Sequence, residues 1–126
     1  SRINLTDDQD QIINKIKKAK TDTLPLPSTG ADLEKRPEAK NLMGIYSSLM
    51  DVSLDDTINK FSGKNFSEFK ENLSQVMVDK ISPISSEIKK LLSDKKYLDK
   101  ILLEGTKKAD KIASEKVKKI QELVGF

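Results

Sequence analysis

The sequence predicts an all-α protein, a compact helical bundle of about five helices forming a single domain over residues 1–126. Three observations carry this. Apolar residues return at three- and four-residue spacing through five stretches, and nowhere does the two-residue alternation of a strand appear. Small polar residues that serve as N-caps precede most of those stretches. Charged residues make up 34% of the chain and aromatics only 5%, a lysine-rich helical composition rather than that of a β-sandwich.

The first helix opens at Thr6-Asp-Asp-Gln9, which has capping-box spacing. Asp7 and Asp8 suit its positive start, and Lys15, Lys17, Lys18 and Lys20 suit its negative end. Ile12, Ile13, Ile16 and Ala19 form its apolar stripe. Residues 21–40 hold three of the four prolines and a Ser-Thr-Gly turn signal, so they read as a long docked loop. A second helix runs from about Pro37 to Met50, with Leu42, Ile45, Tyr46 and Leu49 facing inward. Ser53 caps a short third helix ending near Phe61, and residues 62–65 form a turn.

Ser67 is expected to cap a long fourth helix whose stripe runs through Phe69, Leu73, Val76, Met77, Ile81, Ile84, Ile88, Leu91 and Leu92. Pro83 lies inside it and removes the bond to the residue 79 carbonyl. Because the stripe stays in phase, a kink is expected there rather than a stop. Asp94 caps the last helix, which ends near Val124 before Gly125.

Chemistry is constrained by what the chain lacks. It has no cysteine and no histidine, which removes disulfides, thiolate chemistry, common zinc sites and histidine-based nucleophile activation. No apolar run approaches the ~20 residues needed to cross a bilayer, so no membrane partner is expected. The acidic pairs Asp7–Asp8 and Asp55–Asp56 stand at helix starts, where capping explains them. No catalytic, cofactor or metal residue is assigned. The start at Ser1 rather than Met suggests a piece of something longer.

The formal net charge is +3, but it is unevenly spread. Residues 1–66 carry ten charges of each sign, whereas residues 95–126 carry nine lysines against five acids. In the last helix Leu98, Ile101, Leu102, Gly105, Ala109, Ile112, Ala113, Val117, Ile120 and Leu123 share one broad arc. On the opposite side Lys100, Lys107, Lys111 and Lys118 lie within about 20° of one line, with Glu104 and Glu115 beside it. Such a row is either a solvated face or a polyanion site, because each phosphate contact releases counterions. Lys116 falls inside the apolar arc and is expected to snorkel. Gly105, in the same arc, implies close approach of a neighbouring helix.

Several stretches taken in order resemble the C-terminal helical, anticodon-binding region of bacterial-type tryptophanyl-tRNA synthetases, which are class I aminoacyl-tRNA synthetases. "SRINLTDD" is similar to the segment that follows the family's KMSKS loop, and "IKKAKTD" to the helix end after it. "RPEAKNLMGIY" resembles its Pro-x-x-x-Asn-Leu-x-x-Ile-Tyr helix opening through Pro37, Asn41, Leu42, Ile45 and Tyr46. "SGKNFSEFK", "ISPI" and "LLEGTKKADKIASEKV" resemble later helices in the same order. "LPLPSTGADLE" is longer than the corresponding turn, and Lys116 stands where the family has an apolar residue.

The resemblance implies a parent tryptophan–tRNA ligase that activates tryptophan with ATP and magnesium and esterifies it to its tRNA in the cytoplasm. It implies three partners: tryptophan-specific tRNA, the catalytic nucleotide-binding domain of the same chain, and a second subunit bound through that missing domain. This segment itself would hold no cofactor and take no chemical step. Lys100, Lys107, Lys111 and Lys118 are the candidate tRNA-binding residues. The alternative is a non-catalytic helical interaction or scaffold module.

Overall fold

The computed structural model describes residues 2–125. It is all-α, with six helices and no strand among the described residues. These are α1 (Gln9–Lys17), α2 (Gly30–Glu34), α3 (Pro37–Met50), α4 (Leu54–Phe61), α5 (Phe66–Ser93) and α6 (Lys95–Val124). The chain falls into two compact units, residues 1–86 and 87–126.

In the first unit, α1 starts two residues later than the Thr6 signal suggests. Asp8 is its N-cap: the Gln11 N–H donates to Asp8 Oδ1 at 2.8 Å, and the Asp8 N–H donates to Gln11 Oε1 at 2.9 Å. Asp-x-x-Gln meets the same box geometry as Thr-x-x-Gln. The shift frees Asp7 to turn inward, where it is 6% exposed and accepts bonds from Lys15 Nζ and the Asn4 N–H. Lys70, from α5, closes the other end of α1 by donating to the carbonyls of Lys17 and Ala19 at 3.3 and 2.6 Å.

The long connection holds one extra turn of helix, α2, capped by Thr29 Oγ1 accepting the Asp32 N–H at 3.2 Å. The rest of it packs down as a strap. Leu26 donates its N–H to the Lys64 carbonyl at 2.8 Å, and the Gly63 N–H donates to the Leu26 carbonyl at 3.2 Å. Gly63 has φ +71°, the left-handed conformation that this tight turn demands. Leu26, Pro27 and Leu33 are all fully buried. A chain separated from its catalytic fold is expected to expose an apolar patch containing some of Leu24, Leu26 and Leu33; of these Leu24 is exposed, whereas Leu26 and Leu33 are buried.

Arg36 locks the strap. Its Nε and Nη2 donate to Asp22 at 2.9 and 2.6 Å, its Nη1 to the Pro25 carbonyl at 2.7 Å, and its guanidinium lies 5.7 Å from the Phe66 ring centre. Pro37 then takes the first turn of α3, where its missing N–H costs nothing. Asn41 is exposed and its side chain makes no hydrogen bond among the described residues.

The core gathers on α3, α4 and α5. Tyr46, Phe61 and Phe69 meet with centroid separations of 4.9, 4.8 and 5.9 Å, the two shorter contacts edge to face. Asn65 caps α5 through Oδ1, accepting the Glu68 N–H at 2.8 Å, two residues ahead of the expected Ser67. α5 runs through Pro83 without ending. Its stripe is buried at Phe69, Leu73, Met77 and Ile81, but Ile84, Leu91 and Leu92 beyond that point are exposed. Phase across a proline fixes which side residues face. It does not supply a surface to cover them.

In the second unit the end of α5 leads into α6. Asp94 Oδ1 accepts the Tyr97 N–H at 3.0 Å, and Gly125 closes the helix at φ +82°. No residue of α6 is buried. The close helix approach expected at Gly105 is absent: a Cβ there would meet nothing within 4 Å.

Candidate nucleic-acid interface

α6 is 30 residues long, about 45 Å at 1.5 Å per residue. Lys100, Lys107, Lys111 and Lys118 all lie on it and all are exposed. They span about 27 Å along one side of the helix. Their convergence needs no tertiary folding, since helical spacing alone aligns them. No salt bridge engages any of the four among the described residues. Their ammonium groups are therefore free to meet an anion. The α6 start carries Lys95 and Lys96 and no acid in its first turn, so the positive end of the helix dipole adds to the cationic field there. The second unit holds eleven lysines against seven acids, while the first is nearly balanced.

Five of the ten lysines of the first unit are committed to structure, Lys70 among them. Lys15 pairs with Asp7, Lys40 with Glu34 and Lys64 with Glu68. Lys60 Nζ donates to the Tyr46 hydroxyl at 2.7 Å and lies 5.2 and 5.4 Å from the Tyr46 and Phe61 ring centres. The sequence reading missed this contact because residues 46 and 60 lie on different helices.

Two concavities open on the first unit. A cleft of about 910 Å³ lies between the strap and the start of α5, with Lys17, Lys64 and Lys70 facing Asp22, Glu68 and Glu71. Its charges balance, and most are already paired. A groove of about 810 Å³ runs beside α3, with Ile45, Leu49 and Met77 on its floor and Arg2, Lys15 and Lys40 at its rim.

Two carboxyls of the first unit are shifted, both downward. The Lys15 hydrogen bond, helped by the Asn4 N–H, holds the Asp7 carboxyl below its ordinary value. The Arg36 hydrogen bonds do the same to Asp22 and raise the Arg36 guanidinium in return. Both carboxyls are stabilised as carboxylates, whereas a general acid near neutrality needs the opposite shift. No group of three or more potential ligand side chains gathers to hold a metal among the described residues. No described helix is long and apolar enough to cross a membrane.

Asp7 makes the fold sensitive to acid. Its carboxyl is held below the ordinary carboxylate value, so the stability it adds is complete above the unfolded value and is lost as pH falls through the folded one. Urea midpoints should fall between about pH 5 and pH 2, and Asp7→Asn should flatten that dependence. An unchanged slope in the variant would remove Asp7 from the account.

No family model matches the chain. Individual relatives do. Over all 126 residues it is 48% identical to the tryptophan–tRNA ligase of Rickettsia felis, covering 38% of that protein. It is 44% identical to the enzyme so named in Mesorhizobium japonicum and 40% identical to that in Caulobacter vibrioides, covering 36% and 37% of them. The chain thus spans little more than a third of the length of the relatives it matches. Every residue of the chain aligns, at 40–48% identity, with part of proteins named tryptophan–tRNA ligase.

Proposed function

We propose that this chain is the C-terminal helical module of a tryptophan–tRNA ligase, and that it supports the catalytic fold and holds the anticodon arm of the tRNA. The observation that carries the reading is the full-length match to ligases of that name, joined to a free lysine row on α6. Lys100, Lys107, Lys111 and Lys118 attach the phosphate backbone. Such contacts position an RNA without reading its sequence. The parent enzyme, working in the cytoplasm, activates tryptophan with ATP and magnesium and transfers it to tRNA. Those steps belong to the nucleotide-binding domain of the same chain, through which two subunits pair. The present residues bind, orient and support.

Binding to tRNA as a function of salt tests the reading. Four phosphate contacts give a log–log slope of about −3 to −4. The double variant Lys107→Glu/Lys111→Glu should weaken binding at low salt and flatten that slope by about two. Full-strength binding by the double variant would remove the lysine row from the interface. A wild-type slope near zero would instead favour a protein-docking scaffold, a second reading supported by the wholly unburied apolar arc of α6.

A further inference from the structure

Five aromatic rings lie among the described residues, and four of them, Tyr46, Phe61, Phe66 and Phe69, are buried in the core. The fifth, Tyr97 on α6, is 47% exposed. The contrast with Tyr46 is sharp. The Tyr46 hydroxyl accepts from Lys60, and its ring packs against Phe61 and Phe69. Among the described residues the Tyr97 hydroxyl makes no hydrogen bond, and no aromatic ring or side-chain cation packs on its ring. An exposed ring is common enough on a surface. What sets this one apart is where it stands.

Tyr97 is the third residue of α6, and its N–H donates to Asp94 Oδ1 at 3.0 Å, so the cap fixes its backbone. Helical side chains lean toward the N-terminus, which puts the ring just ahead of the first lysine of the row. Lys100 stands three residues on, at the spacing where helical side chains are neighbours. Lys96 is one turn before Lys100, close to the line of the row. Neither lysine is in a salt bridge among the described residues. From residue 98 to residue 125 the chain has no other aromatic residue. The row therefore offers ammonium groups alone along about 27 Å, and a ring beside ammonium groups at one end.

We propose that Tyr97 stacks on an unpaired base of the RNA that α6 binds, with Lys96 and Lys100 on the phosphates next to that base. This rests on the reading of the lysine row as a phosphate site. Paired bases are closed to such a contact, because their faces lie inside the stack and the deep, narrow major groove of an A-form stem excludes side chains. An unpaired base turns out its π-face, and aromatic rings set among cations take such bases. A paired stem thus suits Lys107, Lys111 and Lys118, which meet phosphates alone, and a loop suits the start of α6. The helix acquires a direction on the RNA: its first turn meets the loop and its later turns follow the stem. Stacking accepts any base, so Tyr97 selects unpaired over paired nucleotides rather than one sequence over another.

The test compares binding of the 126-residue chain to an anticodon-arm RNA hairpin and to a blunt duplex of the same stem. Tyr97→Leu keeps apolar bulk and helix propensity but has no π-face. It should weaken hairpin binding about tenfold or more, leave duplex binding and helicity unchanged, and keep the wild-type salt slope, since stacking releases no counterions. Tyr97→Phe should bind the hairpin like wild type. The fluorescent base 2-aminopurine, placed in turn at each loop position, should be quenched at one of them by wild type and Tyr97→Phe but not by Tyr97→Leu. Equal hairpin affinity in wild type and Tyr97→Leu overturns the proposal and leaves the lysine row intact. So does an equal loss on hairpin and duplex, or a Tyr97→Phe variant as weak as Tyr97→Leu. A wild-type chain that binds neither RNA at low salt overturns the phosphate-site reading and this proposal together.

Discussion

Phe69→Ala should cost about 3–5 kcal/mol, the range for removing a buried aromatic from a packed core. Phe69 is fully buried and touches both other rings of the trio, so no neighbouring ring can be lost from contact with it without opening a void. The rings sit on α3, α4 and α5, so the void would loosen all three helices together. A domain's total stability is about 5–15 kcal/mol, so the variant should be largely unfolded at temperatures the wild type survives. Urea denaturation followed by far-ultraviolet circular dichroism gives the number. A loss under about 1 kcal/mol would mean that the trio is not the centre of the fold.

The second large effect is expected at Arg36. Arg36→Ala removes two donors from Asp22 and one from the Pro25 carbonyl, and it uncovers Phe66. Asp22 is partly open to solvent, so its ion pair is screened and adds little by itself. The bond to the Pro25 carbonyl and the packing of a guanidinium only 11% exposed are what the strap depends on. A cost of about 2 kcal/mol is expected, concentrated locally. Hydrogen exchange should show it first at the Leu26 N–H, whose bond to the Lys64 carbonyl holds the strap against the turn. Arg36→Lys should not restore protection, because a single ammonium cannot reproduce the planar fork. Equal protection at Leu26 in wild type and Arg36→Ala would show that the strap is held by its buried leucines alone.

These two sites mark the boundary of what periodicity reveals. Five of the six helices were legible, and α3, α4 and α6 begin and end within a residue or so of their cap signals. Those signals act over three or four residues and need no distant partner. Cap identity was less secure. Asp8 displaced Thr6 and Asn65 displaced Ser67, because neighbouring residues offered equivalent acceptors. The strap was read as a docked loop without its α2 turn, since five residues carry too little periodic signal to register.

The candidate site was legible for a different reason. Lys100, Lys107, Lys111 and Lys118 align by the geometry of one helix, so their arrangement follows from spacing as soon as the helix is granted. The Lys60–Tyr46 and Arg36–Asp22 contacts were not legible. Their partners are fourteen residues apart and meet only after helices or loops have packed.

The sequence by itself determined the all-α class, the element order and the lysine row, because each rests on interactions within one turn or one helix. Only the tertiary structure decided that Leu26 and Leu33 are buried, that Asp7 turns inward, and that the apolar arc of α6 lies exposed. Burial depends on which surface a side chain meets, and the amphipathic pattern of a helix records the need for a partner without saying where one is.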